Sequence, residues 1–275
     1  MTSALRRQTN LVQRIIAAIV GAFIIIAASV WSEWGYFAVF FFVTLFTLLE
    51  FYTLVGLDGM IPLKTWGTFM GLLIYTLTFL VQMDIAPYQA YFAIAPIASI
   101  TFFIKLYKKE EKPFTNIAFT FLGVLYVAIP FSLINISVFY SGTYDYEIII
   151  GMLLLLWASD SGAYFAGTKF GKTKLFERVS PKKSWEGSIG GTITAFLMAY
   201  AVSYYFDALN HWQWLSVAAI MVIIGTYGDL VESLFKRSIE IKDSGQSIPG
   251  HGGFLDRFDG LLLASPFIVA FLSII

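Results

Sequence analysis

Asp229, Glu232, Ser233, Lys236 and Arg237 stand at i, i+3, i+4, i+7 and i+8, so on a helix they share one face. That stripe offers carboxylates, a hydroxyl and cations together. Asp256 and Asp259 are three residues apart and free to face the same way, while Asp160 and Glu186 stand at the ends of two further apolar stretches. Carboxylate oxygens suit a hard cation such as Mg²⁺, which bridges phosphate oxygens, and lysines and arginines neutralise the charge that remains. Between the acidic groups, Lys242-Asp243-Ser244-Gly245 leads to Pro249-Gly250-His251-Gly252-Gly253. Its glycines permit positive φ and bring backbone N–H groups close to a ligand. A glycine cluster standing alone would be a flexible turn; beside these acids and cations it points to metal-assisted phosphate chemistry.

A second basic segment runs from Gly167 to Trp185 and carries six lysines and arginines. Within it, Ser180-Pro181-Lys182-Lys183-Ser184-Trp185-Glu186-Gly187 precedes a helix whose positive N-terminal end can receive an anion. The plainer reading is a topology-setting loop that attracts anionic lipid. Gly171-Lys172-Thr173 has the ending of a phosphate-binding P-loop, but Ala166 occupies the required earlier glycine position, so that motif is rejected.

The elements that must position these residues are set by composition. Of 275 residues, 58% are hydrophobic and 13% charged, against roughly 45–50% and about 25% in soluble domains. Apolar runs long enough to cross a bilayer predict nine transmembrane helices: Arg14–Val30, Trp34–Val55, Trp66–Val81, Tyr88–Ile104, Phe114–Phe139, Glu147–Ala166, Glu186–Phe206, Trp212–Val231 and Asp259–Ile275. The expected fold is all-α, a polytopic membrane protein. Alternating these spans from a cytoplasmic N-terminus puts all eighteen lysines and arginines on the cytoplasmic side. The opposite loops then hold Glu33, Asp84, Asp145, Glu147, Asp207 and His211. The Arg6-Arg7 pair before an apolar stretch resembles a secretory signal, but a retained first helix suffices when eight spans follow.

One membrane domain is expected, with residues 1–145 mainly spanning and residues 146–275 forming a catalytic half around a cytoplasmic-side polar cavity. Acids at membrane depth usually face such a cavity. In the first half Glu50 stands out inside the second span near its cytoplasmic end, where a functional role and a snorkelling or helix-pairing role are both open. With no cysteine and two histidines, thiolate and His-rich metal sites are excluded, and any metal must be held by oxygen. A formal net charge of zero argues against a nucleic-acid partner.

The run Ser233-Leu234-Phe235-Lys236-Arg237, continuing through Lys242-Asp243-Ser244-Gly245 to His251-Gly252-Gly253-Phe254-Leu255-Asp256-Arg257-Phe258-Asp259, resembles the signature of the phosphatidate cytidylyltransferases, or CDP-diacylglycerol synthases. Asp160-Ser161-Gly162-Ala163-Tyr164 with Gly167 and Phe170-Gly171-Lys172, and the Ser180-to-Gly187 segment followed by Gly190-Gly191, are similar to the same family. The resemblance is specific across 157–259 and only compositional before that.

It implies an all-helical bacterial inner-membrane enzyme, a homodimer, whose active site faces the cytoplasm. Its partners would be CTP, phosphatidic acid and membrane lipids, and its products CDP-diacylglycerol and pyrophosphate. The resemblance and the depth of the acids make Asp229 and Asp256 the expected metal ligands, with Asp160 and Asp259 contributing and Lys236 and Arg237 completing the catalytic set. Mg²⁺ is the expected metal, and the family allows a monovalent cation such as K⁺ beside it. Ser180, Lys182, Lys183, Ser184, Glu186, Ser233, Lys242, Asp243, His251, Gly252, Gly253 and Arg257 are the expected substrate-binding residues. His251 is open between an acid or phosphate contact and a cap on the glycine turn. A CTP-dependent lipid-alcohol kinase would use similar groups but release CDP. A transporter would distribute its polar residues through the bilayer depth, whereas here they gather at one surface.

Overall fold

The computed structural model describes residues 3–241 and 252–275, with side chains from Ile16 onward. Helices α1 (Ser3–Trp31), α2 (Glu33–Leu57) and α3 (Lys64–Gln82) come first. A 3₁₀ turn at Tyr88–Ala93 runs into α4 (Ile94–Leu106), and α5 (Pro113–Gly123) joins α6 (Ile129–Val138) through a π turn at Val124–Ala128. Then follow α7 (Tyr146–Phe170), α8 (Trp185–Tyr205), α9 (His211–Ser238) and α10 (Leu255–Ile274). With the joined pieces counted as single rods, the described residues form nine helices, at the positions of the nine expected transmembrane spans.

Seven of these rods are long and apolar enough to cross a membrane: Glu33–Leu57, Lys64–Gln82, Tyr88–Leu106, Pro113–Val138, Tyr146–Phe170, His211–Ser238 and Leu255–Ile274. The apolar part of α1, Ile16–Trp31, is shorter. Helix α8 mixes glycine, serine, threonine and tyrosine into its apolar run, which lowers its hydropathy.

Chain ends of these helices are fixed by short polar side chains. Ser32 Oγ accepts from Gly35 N, Asp145 Oδ1 accepts from Glu147 N, and Asn210 with Gln213 forms a reciprocal capping box on α9. The basic segment departs from the all-helical expectation. Lys174–Phe176 (β1) pairs antiparallel with Ser180–Ser184 (β2), a hairpin too short for alternation to reveal it.

The core joins both halves. Phe258 of α10 packs edge-on against Phe40 of α2 and Phe131 of α6, at 6.4 and 5.7 Å between ring centroids. Trp214 of α9 is fully buried against Gly151 of α7, where an added methyl would strike the indole. Helices α9 and α10 approach still more closely. A Cβ on Gly228 would lie 2.5 Å from Asp259 O and 3.0 Å from Gly260 Cα. Small residues let two backbones meet this way in a bilayer.

Candidate active site

The close α9–α10 contact lies at the level of the acids. Asp229 and Glu232 are one turn apart on α9, and Asp259 stands in the second turn of α10 opposite them. One carboxylate oxygen from each of Asp229, Glu232 and Asp259 lies within 4.8 Å of the others. Glu232 is buried, and its Oε1 has no hydrogen-bond partner among the described residues. Three converging carboxylates with an unmatched buried oxygen fit a hard, oxygen-seeking cation. Of the acids expected here, Asp259 and Asp229 therefore come together, and Glu232 joins them. Its spacing of three from Asp229 was the available signal.

Lysines surround the acids. Lys183 Nζ, from β2, lies 2.5 Å from Asp229 Oδ2. Lys236 Nζ lies 2.5 Å from Glu232 Oε2 and 2.7 Å from Asp256 Oδ1. Asp256 Oδ2 accepts from Gly253 N at 3.2 Å. Asp256 is thus held through Lys236 and the glycine turn, one cation away from the triad. Ser233 Oγ approaches Asp229 Oδ1 at 3.4 Å, and Gly252 occupies the left-handed region at φ 85°. Asp160 lies exposed on α7, where Asp229, Lys183 and Arg257 are the charges that act on it.

Several other expected residues support the local fold. Ser184 caps α8, its Oγ accepting from Gly187 N at 3.1 Å. The Glu186 carboxylate accepts from Lys172 N and Thr173 N at 3.1 to 3.2 Å, tying the hairpin's entry to the helix. Ser180 begins β2, half-buried, and Lys182 is exposed on the same strand. Arg237 and Arg257 are exposed, the former donating to Ile241 O. Lys242, Asp243 and His251 lie outside the described residues.

One further group was not expected. The Tyr126 hydroxyl is buried without a hydrogen-bond partner among the described residues, and Asp259, Glu232 and Asp229 are the charges that act on it. It sits in the π turn, a local widening that recurs at functional sites. A tyrosine within an apolar span was the only trace of it in the sequence.

This arrangement can gather a cation and a polyphosphate at one end of an apolar bundle. Residues 12–275 match the model of the cytidylyltransferase family. A phosphatidate cytidylyltransferase of Haemophilus influenzae is 46% identical over 129 residues, 45% of this chain and 45% of that protein. Phosphatidate cytidylyltransferases of Staphylococcus haemolyticus and Staphylococcus aureus (strain COL) are 41% and 40% identical over 162 residues, 58% of this chain and 60% of theirs. The chain spans 45 to 60% of the length of these curated relatives.

Proposed function

The chain belongs to the cytidylyltransferase family, and from that premise we propose that it transfers the cytidylyl group of CTP to phosphatidic acid, giving CDP-diacylglycerol and pyrophosphate. The observation that carries this reading is the convergence of Asp229, Glu232 and Asp259 beside Lys183 and Lys236. A phosphate oxygen of the lipid attacks the α-phosphorus of CTP in line. The bond from that phosphorus to the β-phosphate oxygen breaks, and pyrophosphate leaves with the electron pair. No protein nucleophile is required, because the lipid phosphate is one.

The chain's own residues orient and neutralise. Lys183 and Lys236, with the exposed Lys182 and Arg237, would hold phosphates. Ser180, Ser233, Gly252, Gly253 and Arg257 are proposed substrate contacts, as are Lys242, Asp243 and His251, which lie outside the described residues. Ser184 and Glu186 serve by shaping the hairpin. Asp229, Glu232 and Asp259 would hold Mg²⁺, with Asp256 a further ligand, Asp160 a nearby acid and a monovalent cation such as K⁺ compatible with the oxygen donors. Such an ion would lessen the charge repulsion between the reacting phosphates.

We place the site on the cytoplasmic side of a bacterial inner membrane, in a homodimer of single-domain subunits whose second half carries the chemistry. The test is purified protein with labelled CTP, phosphatidic acid and Mg²⁺, monitored for liponucleotide and pyrophosphate together. Release of CDP with a phosphorylated lipid alcohol would replace this reading by a kinase.

A further inference from the structure

Glu50 is 7% exposed within α2, where an ionised carboxylate is costly unless it is bonded. Its Oε2 accepts a hydrogen bond of 2.8 Å from Phe254 N, across 204 residues of sequence. Phe254 is the residue that leads into α10, and it provides no side-chain cap to that helix. One turn earlier on α2, Phe46 stacks on the Phe254 ring, with centroids 5.3 Å apart and planes 23° from parallel. Just beyond Glu50, Phe51 stacks on Phe235 at 5.3 Å, beside Lys236. Helix α2 therefore grips Phe254 by backbone and by ring, and touches α9 at the same level.

The gripped residue lies between the glycine turn and the acids. Gly252, at φ 85°, and Gly253 precede Phe254, and without side chains they leave many directions open to the backbone there. Phe254 N is where an outside partner limits that choice. A carboxylate at this point also complements the positive end of the α10 dipole. Helix α10 keeps separate anchors in Asp256, bonded to Lys236, and in Phe258, packed between Phe40 and Phe131, so removing Glu50 loosens the entry to the helix rather than the helix itself.

We infer that Glu50 is a positioning residue: by holding Phe254 N it sets where α10 begins, and so where Asp256 and Asp259 stand relative to Asp229 and Glu232. This rests on the cytidylyl-transfer reading and extends the site into the first half of the chain. The test compares Glu50→Ala, Glu50→Gln and wild-type protein, each purified and checked by thermal unfolding. Glu50→Ala is expected to lower kcat about 10- to 100-fold, as a small misplacement of reacting groups does. It should also raise the Mg²⁺ concentration needed for half-maximal rate, leaving the KM for phosphatidic acid near wild type. Glu50→Gln keeps an acceptor oxygen and should recover most of the rate.

Wild-type kcat in folded Glu50→Ala overturns the inference. So does a loss accounted for wholly by less folded protein, or a folded Glu50→Gln as slow as Glu50→Ala. If Glu50→Ala fails to assemble, Glu50→Asp keeps the charge but shortens the reach to Phe254 N, and an unchanged kcat in folded Glu50→Asp overturns the inference too. A wild-type protein that forms no liponucleotide refutes the underlying reaction instead. Calorimetric titration of Mg²⁺ into the variants then judges Glu50 by itself, with equal affinity in wild type and Glu50→Ala counting against the positioning role.

Discussion

At the scale of single residues, the acids divide by what surrounds them. Asp259 belongs to the converging triad, and its replacement by Asn keeps shape while removing charge. Asp259→Asn is expected to lower turnover by about 10²-fold or more, with the unfolding temperature held or raised because a like-charge cluster is relieved. Steady-state kinetics beside thermal unfolding would check it, and near-normal turnover in folded protein would remove Asp259 from the site. Glu110 is a different case, far from the triad in the loop after α4. Burial pushes its carboxyl up, but hydrogen bonds from Lys105 and Asn116 outweigh this and hold it below the usual carboxylate range. Its pKa is therefore lower in the folded chain than in the unfolded one. The stability it contributes is complete above the ordinary carboxylate pKa and is lost as pH falls through the depressed value. Glu110→Gln leaves Lys105 buried with its charge unmatched, which costs about 3–5 kcal/mol. Chemical unfolding at neutral pH should register that loss, and the difference from wild type should shrink in acid. The sequence made Asp229, Glu232 and Lys236 legible as one stripe because helical spacing is a local rule. The pair of Lys236 with Glu232 follows from the same spacing, but that Lys236 would also hold Asp256 was not legible, since Asp256 arrives from another helix. Glu50 likewise had two open roles until its partner 204 residues away was known.

Elements were easier to read than contacts. Each rod announces itself by a run of apolar residues, and all nine expected spans coincide with helices to within a few residues, apart from the longer described start of α1 and the extension of α9 to Ser238. The hairpin did not announce itself. Lys174–Phe176 and Ser180–Ser184 are short and lysine-rich, and their pairing is supported by the Glu186 carboxylate at its base and by Lys183 reaching Asp229. Helix pairing depended on glycines whose meaning is visible only in three dimensions. Gly228 leaves Asp259 O and Gly260 Cα no room for a methyl group, so the distance between α9 and α10 is set by backbone meeting backbone. Gly228→Ala is expected to push the helices apart at the level of the acids and to destabilise the fold by about 1–3 kcal/mol. It should also shift the activating ion from Mg²⁺ toward the larger Mn²⁺ or Ca²⁺. An unchanged ion preference in folded Gly228→Ala would show that side-chain adjustment, rather than the backbone, sets the spacing.

For the whole molecule, sidedness is the property that matters. The chain contains no cysteine, so one introduced thiol is a unique reporter. Lys109→Cys is expected to react with a membrane-impermeant maleimide from the cytoplasmic face only, and Asp207→Cys from the opposite face only. The reverse pattern would invert the proposed orientation. The acids themselves lie where α9 and α10 leave or enter their apolar lengths, at an end of the bundle rather than in its middle. In the proposed reaction the reactant with hydrocarbon tails reaches that level by wandering in two dimensions, while the water-soluble one arrives from a volume. Encounter frequency is then governed by two unlike concentrations, moles per area for one and moles per litre for the other. Diluting the lipid with inert amphiphile at fixed total amount slows such a reaction, although nothing in the surrounding water has changed.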